Sequence, residues 1–175
     1  MDGPVALNFL YCNYDVNTDA LKTLVTEQLL TLESAVLEAP YHCLRNGQPF
    51  AIEDTYIEVD ITNQTMTFFQ NGVLMTTTPV VTGYPHGRAT PVGLYGVENK
   101  RPDQWLIGSD YAVFVRWWIG VYGVYGIHDA SWRDQFGETY YLTNGSHGCI
   151  NTPDDPTLII YENVDIGTPV LIYEH

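Results

Sequence analysis

The sequence predicts a mainly β domain carrying two helices. Period-two alternation sets in at Thr55. An Asn-Gly pair separates two strand-like runs further on. Aromatic residues reach 13%, including thirteen Tyr and four Trp, a composition that suits pleated, half-buried surfaces.

Residues 1–50 read as an N-terminal helical segment, and residues 51–175 as the main domain. Asn17, Thr18 and Asp19 are cap-type residues ahead of Leu21, Leu24, Val25, Leu29 and Leu32. That spacing predicts a helix from about Thr18 to Val36 with one apolar face. Pro40 and Asn46-Gly47 mark a loop. The segment is too small to bury its apolar stripe alone, so it lies on the rest of the chain or ends a larger preceding domain.

Ile57, Val59 and Ile61 alternate with Glu58 and Asp60, a strand with one wet face. Thr65–Phe69 and Val73–Val81 flank Gln70-Asn71-Gly72, and Asn-Gly in that setting is a hairpin signal. Gly83–Asp110 is rich in Gly, Pro and polar residues. It reads as a long surface loop, of the kind that forms lids, with one short strand at Gly93–Val97. Strands resume at Tyr111–Ile119 and Val121–Ile127. Thr152-Pro153-Asp154-Asp155-Pro156 opens a short helix reaching about Asn163, and Val170–Tyr173 is the last strand.

Composition narrows the function. Apolar residues make up 45% and the net charge is −14. A real core can be buried, and the chain is a poor candidate for binding nucleic acid or an anionic membrane, both polyanions. The bland reading of this charge is a solvated surface. The three cysteines, Cys12, Cys43 and Cys149, include no CxxC, which removes zinc-ribbon and thioredoxin-like readings. Cys12 and Cys43 could bridge in an oxidising compartment, a pairing the sequence leaves open. The apolar run Tyr111–Ile127 carries Arg116 and three glycines and falls short of the roughly 20 residues of a spanning helix. The start, Met1-Asp2-Gly3-Pro4, lacks a basic and then apolar leader. For work outside the cell, the export signal would belong to a part upstream.

The chemistry concentrates in Gly126-Ile127-His128-Asp129 and Gly145-Ser146-His147-Gly148-Cys149-Ile150-Asn151. A thiol at its ordinary pKa of about 8.5 needs help to become a nucleophile. His128 and His147 are the candidate bases. His147, two positions from Cys149 in a glycine-flanked turn, suits a turn-shaping role. His128, at a strand end, can approach Cys149 from an adjacent strand. Amides around Gly148 can converge on an oxyanion. Singly, each residue also has a structural reading: a small buried thiol, a hydrogen-bonded strand-end imidazole. One thiol and two imidazoles lack the paired spacing of structural zinc sites, so no metal is expected.

Taken together, His128 followed after seventeen residues by Ser146-His147-Gly148-Cys149-Ile150-Asn151 resembles the signature of the L,D-transpeptidase catalytic domain (YkuD-type fold). Thr90-Pro91-Val92-Gly93-Leu94-Tyr95, Tyr56–Asp60 and Gly167–Val170 resemble further stretches of that family, so the likeness covers about residues 55–173. It implies a β-sandwich with a mixed sheet and a site under a lid, with no cofactor. It implies that Cys149 attacks a peptidoglycan stem tetrapeptide, releases D-Ala and forms a thioester. A second stem's amine then resolves the thioester into a cross-link between third-position residues. His128 would be the base, with Asp129 orienting it. Amides of His147, Gly148 and Cys149 would form the oxyanion hole, and Ser146 and Asn151 would hold the turn. Tyr84, Trp117, Trp118 and Trp132 are candidates to line the donor groove. The expected partners are stem peptides and carbapenem-class β-lactams, at the bacterial wall outside the cytoplasm, and residues 1–50 would be the tail of a wall-associated domain. A hydrolase on the same site (an L,D-carboxypeptidase), a non-catalytic wall-binding module and a zinc protein are the alternatives. Residues 83–110 do not align with the family, so no contact is assigned there.

Overall fold

The computed structural model describes residues 54–175 throughout. Before them it describes Lys22, Thr23, Thr26 and the backbone of three strands. The chain divides into two compact units, Met1–Ala51 and Ile52–His175.

In the first unit, β1 (Asn13–Val16), β2 (Tyr41–Arg45) and β3 (Gln48–Phe50) form an antiparallel sheet in that order. The helix expected over Thr18–Val36 lies outside the described residues, apart from Lys22, Thr23 and Thr26, which are helical. Cys12 and the side chain of Cys43 lie outside them too. Between and after the expected loop markers Pro40 and Asn46-Gly47 the chain forms strands: β2 and β3 pair as a hairpin, Arg45 opposite Gln48. Asn46-Gly47 therefore separates two strands, each too short to show a readable alternation.

The second unit is built from two mixed sheets. The first holds β4 (Tyr56–Asp60), β5 (Thr65–Gln70), β6 (Val73–Pro79), β7 (Gly93–Gly96) and β12 (Pro169–Tyr173), in the order β6-β5-β4-β12-β7. β12 runs parallel to β4 and every other pair is antiparallel. Asn71 and Gly72 take φ of 51° and 74°, the double positive φ that a right-twisted two-residue hairpin turn demands. The second sheet is β11-β10-β9-β8, from β8 (Asn99–Ile107), β9 (Ala112–Tyr122), β10 (Tyr125–Asp129) and β11 (Ile150–Thr152), with β10 and β11 parallel. One turn of helix, α1 (Tyr141–Asn144), and the longer α2 (Asp154–Asn163) complete the unit.

Alternation in β4 and β5 buries Ile57, Val59, Met66 and Phe68. They join Ile119 and Val121 of β9, Ile127 of β10, Ile150 of β11 and Ile160 of α2 in one apolar cluster. Each fully buried side chain of this kind contributes about 1.5–3 kcal/mol. The cluster thus clamps β10, which bears His128, and β11, which follows Cys149, against the first sheet.

Residues 83–110 are corrected in part. Beyond β7, Asn99–Ile107 is a nine-residue strand along β9, not loop. It is the sheet's edge, with Arg101, Pro102 and Asp103 exposed. Edge strands tolerate Pro and charge on their free side, so the polar composition hid the strand. β9 also runs through Gly120, where a strand break was expected. A Cβ there would meet the Asn99 side chain at 2.6 Å, so the glycine makes room for Asn99 and does not end the strand.

Candidate active site

Parallel pairing of β10 and β11 sets His128 opposite Asn151. Cys149 immediately precedes β11. Alternation puts Cys149 and Asn151 on one face, and the register puts His128 beside them. His128 and Cys149 line one cavity of about 180 Å³, with Ser146, His147, Trp132 and Arg133. Cys149 also lines a second cavity of about 390 Å³, bounded by Trp105, Tyr111, Trp118 and Val124. The sulfur therefore sits where two cavities meet.

His128 is 3% exposed. Its Nδ1 lies 2.8 Å from the Asp129 carbonyl oxygen, and the Asn151 Nδ2 lies 3.0 Å from its Nε2. A carbonyl only accepts, so Nδ1 carries the proton and Nε2 the lone pair. Burial pushes the His128 pKa below its ordinary value, opposed by the Asp129 carbonyl. Trp118 and Trp132 flank the ring at centroid distances of 5.9 Å each. The Cys149 thiol is half-buried, and burial pushes its pKa up, with a contact to the Gly126 backbone opposing. Its Sγ lies 3.8 Å from the Val124 carbonyl oxygen. The ground state is therefore a thiol and a neutral imidazole lining one cavity, an arrangement suited to proton transfer on demand.

The turn bearing Cys149 is braced from several sides. Ser146 Oγ accepts from the Gly148 amide at 3.0 Å and donates to the Cys149 carbonyl at 2.5 Å. Thr90 Oγ1 donates to the Gly148 carbonyl at 2.9 Å and accepts from the Gly83 amide at 2.8 Å. The Thr90-Pro91 stretch therefore supports the turn directly. Gly148 takes φ of 112°, and a Cβ on it would run into the Tyr125 ring. Beneath, Gln64 is fully buried and ties the Val80–Gly83 segment in place. Its Nε2 donates to the Ile61 carbonyl and Thr82 Oγ1, and its Oε1 accepts from the Thr82 amide. That segment pairs with Ser146 and Asn151.

The expected site residues do not all gather. Cys149, His128, His147, Ser146, Asn151 and Trp132 share one cavity, and Trp118 lines the other. The Gly148 amide is engaged by Ser146, so as an oxyanion donor it is already occupied. Asp129 meets His128 through its backbone carbonyl. Its carboxylate instead accepts from the Arg116 and Trp117 amides, both at 2.8 Å. His147 does not turn inward to its own turn: its Nε2 lies 3.2 Å from Asp110 Oδ2 and beside Arg88. Tyr84 lines a separate cavity with His86 and Leu142. Trp117 points to the opposite face of β9 and packs against Tyr161 of α2, ring centroids 5.0 Å apart and tilted by 43°.

Sequence reasoning passed over Arg133, Tyr111, Arg88 and Asp110. For Arg133 a signal existed. The chain has only seven Lys and Arg, and one of them stands five residues after the candidate base. Among the described residues no group of three or more His, Cys, Asp and Glu gathers as a metal would require.

Comparison with known proteins agrees with this geometry. Residues 54–172 match YkuD, the L,D-transpeptidase catalytic domain. L,D-transpeptidase 1 of Mycobacterium tuberculosis is 31% identical over 138 residues, 69% of this chain and 51% of the relative. This chain thus spans about half the length of that curated relative. A crystal structure of a Cys-to-Ser mutant of Enterococcus faecium L,D-transpeptidase superposes with a TM-score of 0.68 at 32% identity, over 91% of this chain and 66% of that one. The E. faecium catalytic domain, solved by NMR acylated by ertapenem, gives a TM-score of 0.64 at 38% identity, over 71% of this chain and all of that one. With the family matched across its β unit, the chain belongs to the YkuD-type L,D-transpeptidase catalytic-domain family.

Proposed function

We propose that the chain is a cysteine acyltransferase acting on peptidoglycan stem peptides at the cell wall, outside the cytoplasm. The observation that carries this reading is Cys149 standing where two cavities meet, with the buried imidazole of His128 in one of them. Two substrates must reach one sulfur in turn, and two cavities offer two approaches.

The Cys149 proton passes to Nε2 of His128, directly or through one water, as the Asn151 amide that donates to that nitrogen turns aside. The thiolate attacks the carbonyl between the third and fourth residues of a tetrapeptide stem. The C–N bond breaks, His128 returns the proton to the leaving amine, and D-Ala departs with a thioester left on Sγ. His128 then takes a proton from the third-residue amine of a second stem. That nitrogen attacks the thioester carbonyl, and the thiol leaves with its proton restored. Amides of His147 and Cys149 support the oxyanion, the Gly148 amide being held by Ser146. Acylation by carbapenems follows the same first step, with the opened lactam kept on sulfur.

The test is incubation with a tetrapeptide stem, with and without an amine acceptor, followed by mass spectrometry. A cross-linked product and free D-Ala are expected. Tripeptide alone in the presence of acceptor would make the protein a hydrolase on the same site. An intact donor in both arms would overturn the enzymatic reading and leave a wall-binding module.

A further inference from the structure

His128 has a polar neighbour on each ring nitrogen, and one of those neighbours is held by a cation. Arg133 Nε donates to Asn151 Oδ1 at 2.8 Å, and Asn151 Nδ2 donates to His128 Nε2 at 3.0 Å. A guanidinium only donates. The Asn151 atom facing Arg133 must therefore be the oxygen, which turns the amide nitrogen to the imidazole. An amide nitrogen also only donates, so the His128 nitrogen it meets must accept. The proton of the neutral ring is then left on Nδ1, where the Asp129 carbonyl takes it at 2.8 Å. Three donor–acceptor steps run from one cation to one tautomer without a free choice.

We propose that Arg133 is a positioning residue: through the Asn151 amide it holds His128 in the Nδ1-protonated tautomer, with Nε2 as the lone-pair nitrogen. The assignment rests on the reading of His128 as the base for Cys149. The tautomer itself can be measured without substrate.

Other charges around the ring do not set this choice. The Asp129 carboxylate accepts from the Arg116 and Trp117 amides. His147 is tied to Asp110 and Arg88. Tyr111 and Cys149 line the same cavity, and neither makes a hydrogen bond to the ring among the described residues. Arg133 has a second, structural role. Its Nη1 donates to the Asn144 carbonyl at 2.8 Å, tying the residue-133 turn to the end of α1. The test must separate the two roles.

The experiment is two-bond nitrogen–proton correlation NMR on the full chain with labelled histidine. It is paired with the pH profile of Cys149 alkylation by iodoacetamide. Wild type is expected to show His128 protonated on Nδ1. Arg133→Met frees the Asn151 amide to rotate, and the Nε2-protonated form should emerge. Asn151→Asp keeps an acceptor for Arg133, and so the tie to Asn144, but removes the donor to His128. It should protonate Nε2 as well, giving the doubly protonated ring, and shift the alkylation profile. A change of about one pKa unit in the base is a factor of ten, and a drop of about tenfold in the alkylation rate is expected in both variants. If Arg133→Met fails to fold, Asn151→Asp alone decides. An Nε2-protonated wild type overturns the assignment. So does a wild-type tautomer and profile in folded Asn151→Asp. Neither outcome bears on whether Cys149 is acylated by a stem peptide, which is read separately.

Discussion

His128 and Asn151 face each other across the parallel β10–β11 pair, and the Asn151 amide lies 3.0 Å from the imidazole. Cys149 stands two residues before Asn151 on the same chain. One strand pairing therefore brings together the proposed base, its neighbour and the proposed nucleophile. The segments involved lie far apart in sequence, and only the parallel register makes them neighbours.

The first prediction concerns covalent capture. Exposure to ertapenem should add one adduct to the intact mass of the wild type, and Cys149→Ala should show none. His128→Ala should fold normally but acylate about 10²–10⁴-fold more slowly, the range usual for loss of a general base. Equal rates for His128→Ala and wild type would remove His128 from the mechanism.

The second prediction is a pH dependence with a definite sign. Burial lowers the His128 pKa in the folded state, while the unfolded chain keeps a value of about 6.5. Between these two values the unfolded state binds a proton that the folded state refuses, so stability rises with pH there. The contribution is fully present above about pH 6.5 and is lost as pH falls toward the folded value. Melting temperatures of wild type between pH 5 and 8 should drop on the acid side more than those of His128→Gln. Parallel curves would contradict the burial argument.

The third prediction tests the turn. Gly148→Ala places a β-carbon at φ of 112° against the Tyr125 ring. The backbone strain alone costs about 1–3 kcal/mol, and the turn must shift to relieve the clash. Calorimetry should show a lowered melting temperature, and acylation of Cys149 should slow. A variant matching wild type on both measures would show that the turn tolerates a side chain.

How far the sequence displayed this architecture depends on which physical signal each element carried. β4 and β5 alternate cleanly because one face of each lies on the core, and Asn71-Gly72 announces its turn by residue type. β8 was invisible because an edge strand with both faces partly wet has no period to read. The motif around Cys149 was legible because glycine, histidine and cysteine occur there in an uncommon order. Tyr111, Arg88 and Asp110 were not, since they reach the site through tertiary contacts that no local spacing encodes. The functional sorting of Trp117 and Trp118 was hidden for a simpler reason: adjacent strand residues point to opposite faces, and composition does not say which faces inward.

That pair supplies the last prediction, a double dissociation. Trp118 pairs in register with His128, lines the larger cavity beside Cys149 and anchors its Nε1 on Asn99 at 3.0 Å. Trp117 turns to α2 and packs against Tyr161, with its own Nε1 buried and without a partner among the described residues. Trp117→Ala should therefore destabilise the fold by about 2–4 kcal/mol, near the lower end for truncating a large aromatic. It should leave the acylation rate of the folded fraction within about twofold, since even a conservative limit of 0.5 kcal/mol is little more than a factor of two. Trp118→Ala should do the reverse, slowing acylation more than it lowers the melting temperature. Trp117→Phe sharpens the test. It keeps the ring but deletes the N–H left without an acceptor, so stability should hold or rise. If Trp117→Phe loses as much stability as Trp117→Ala, the indole nitrogen has a partner after all, and a buried water between β9 and α2 becomes the place to look.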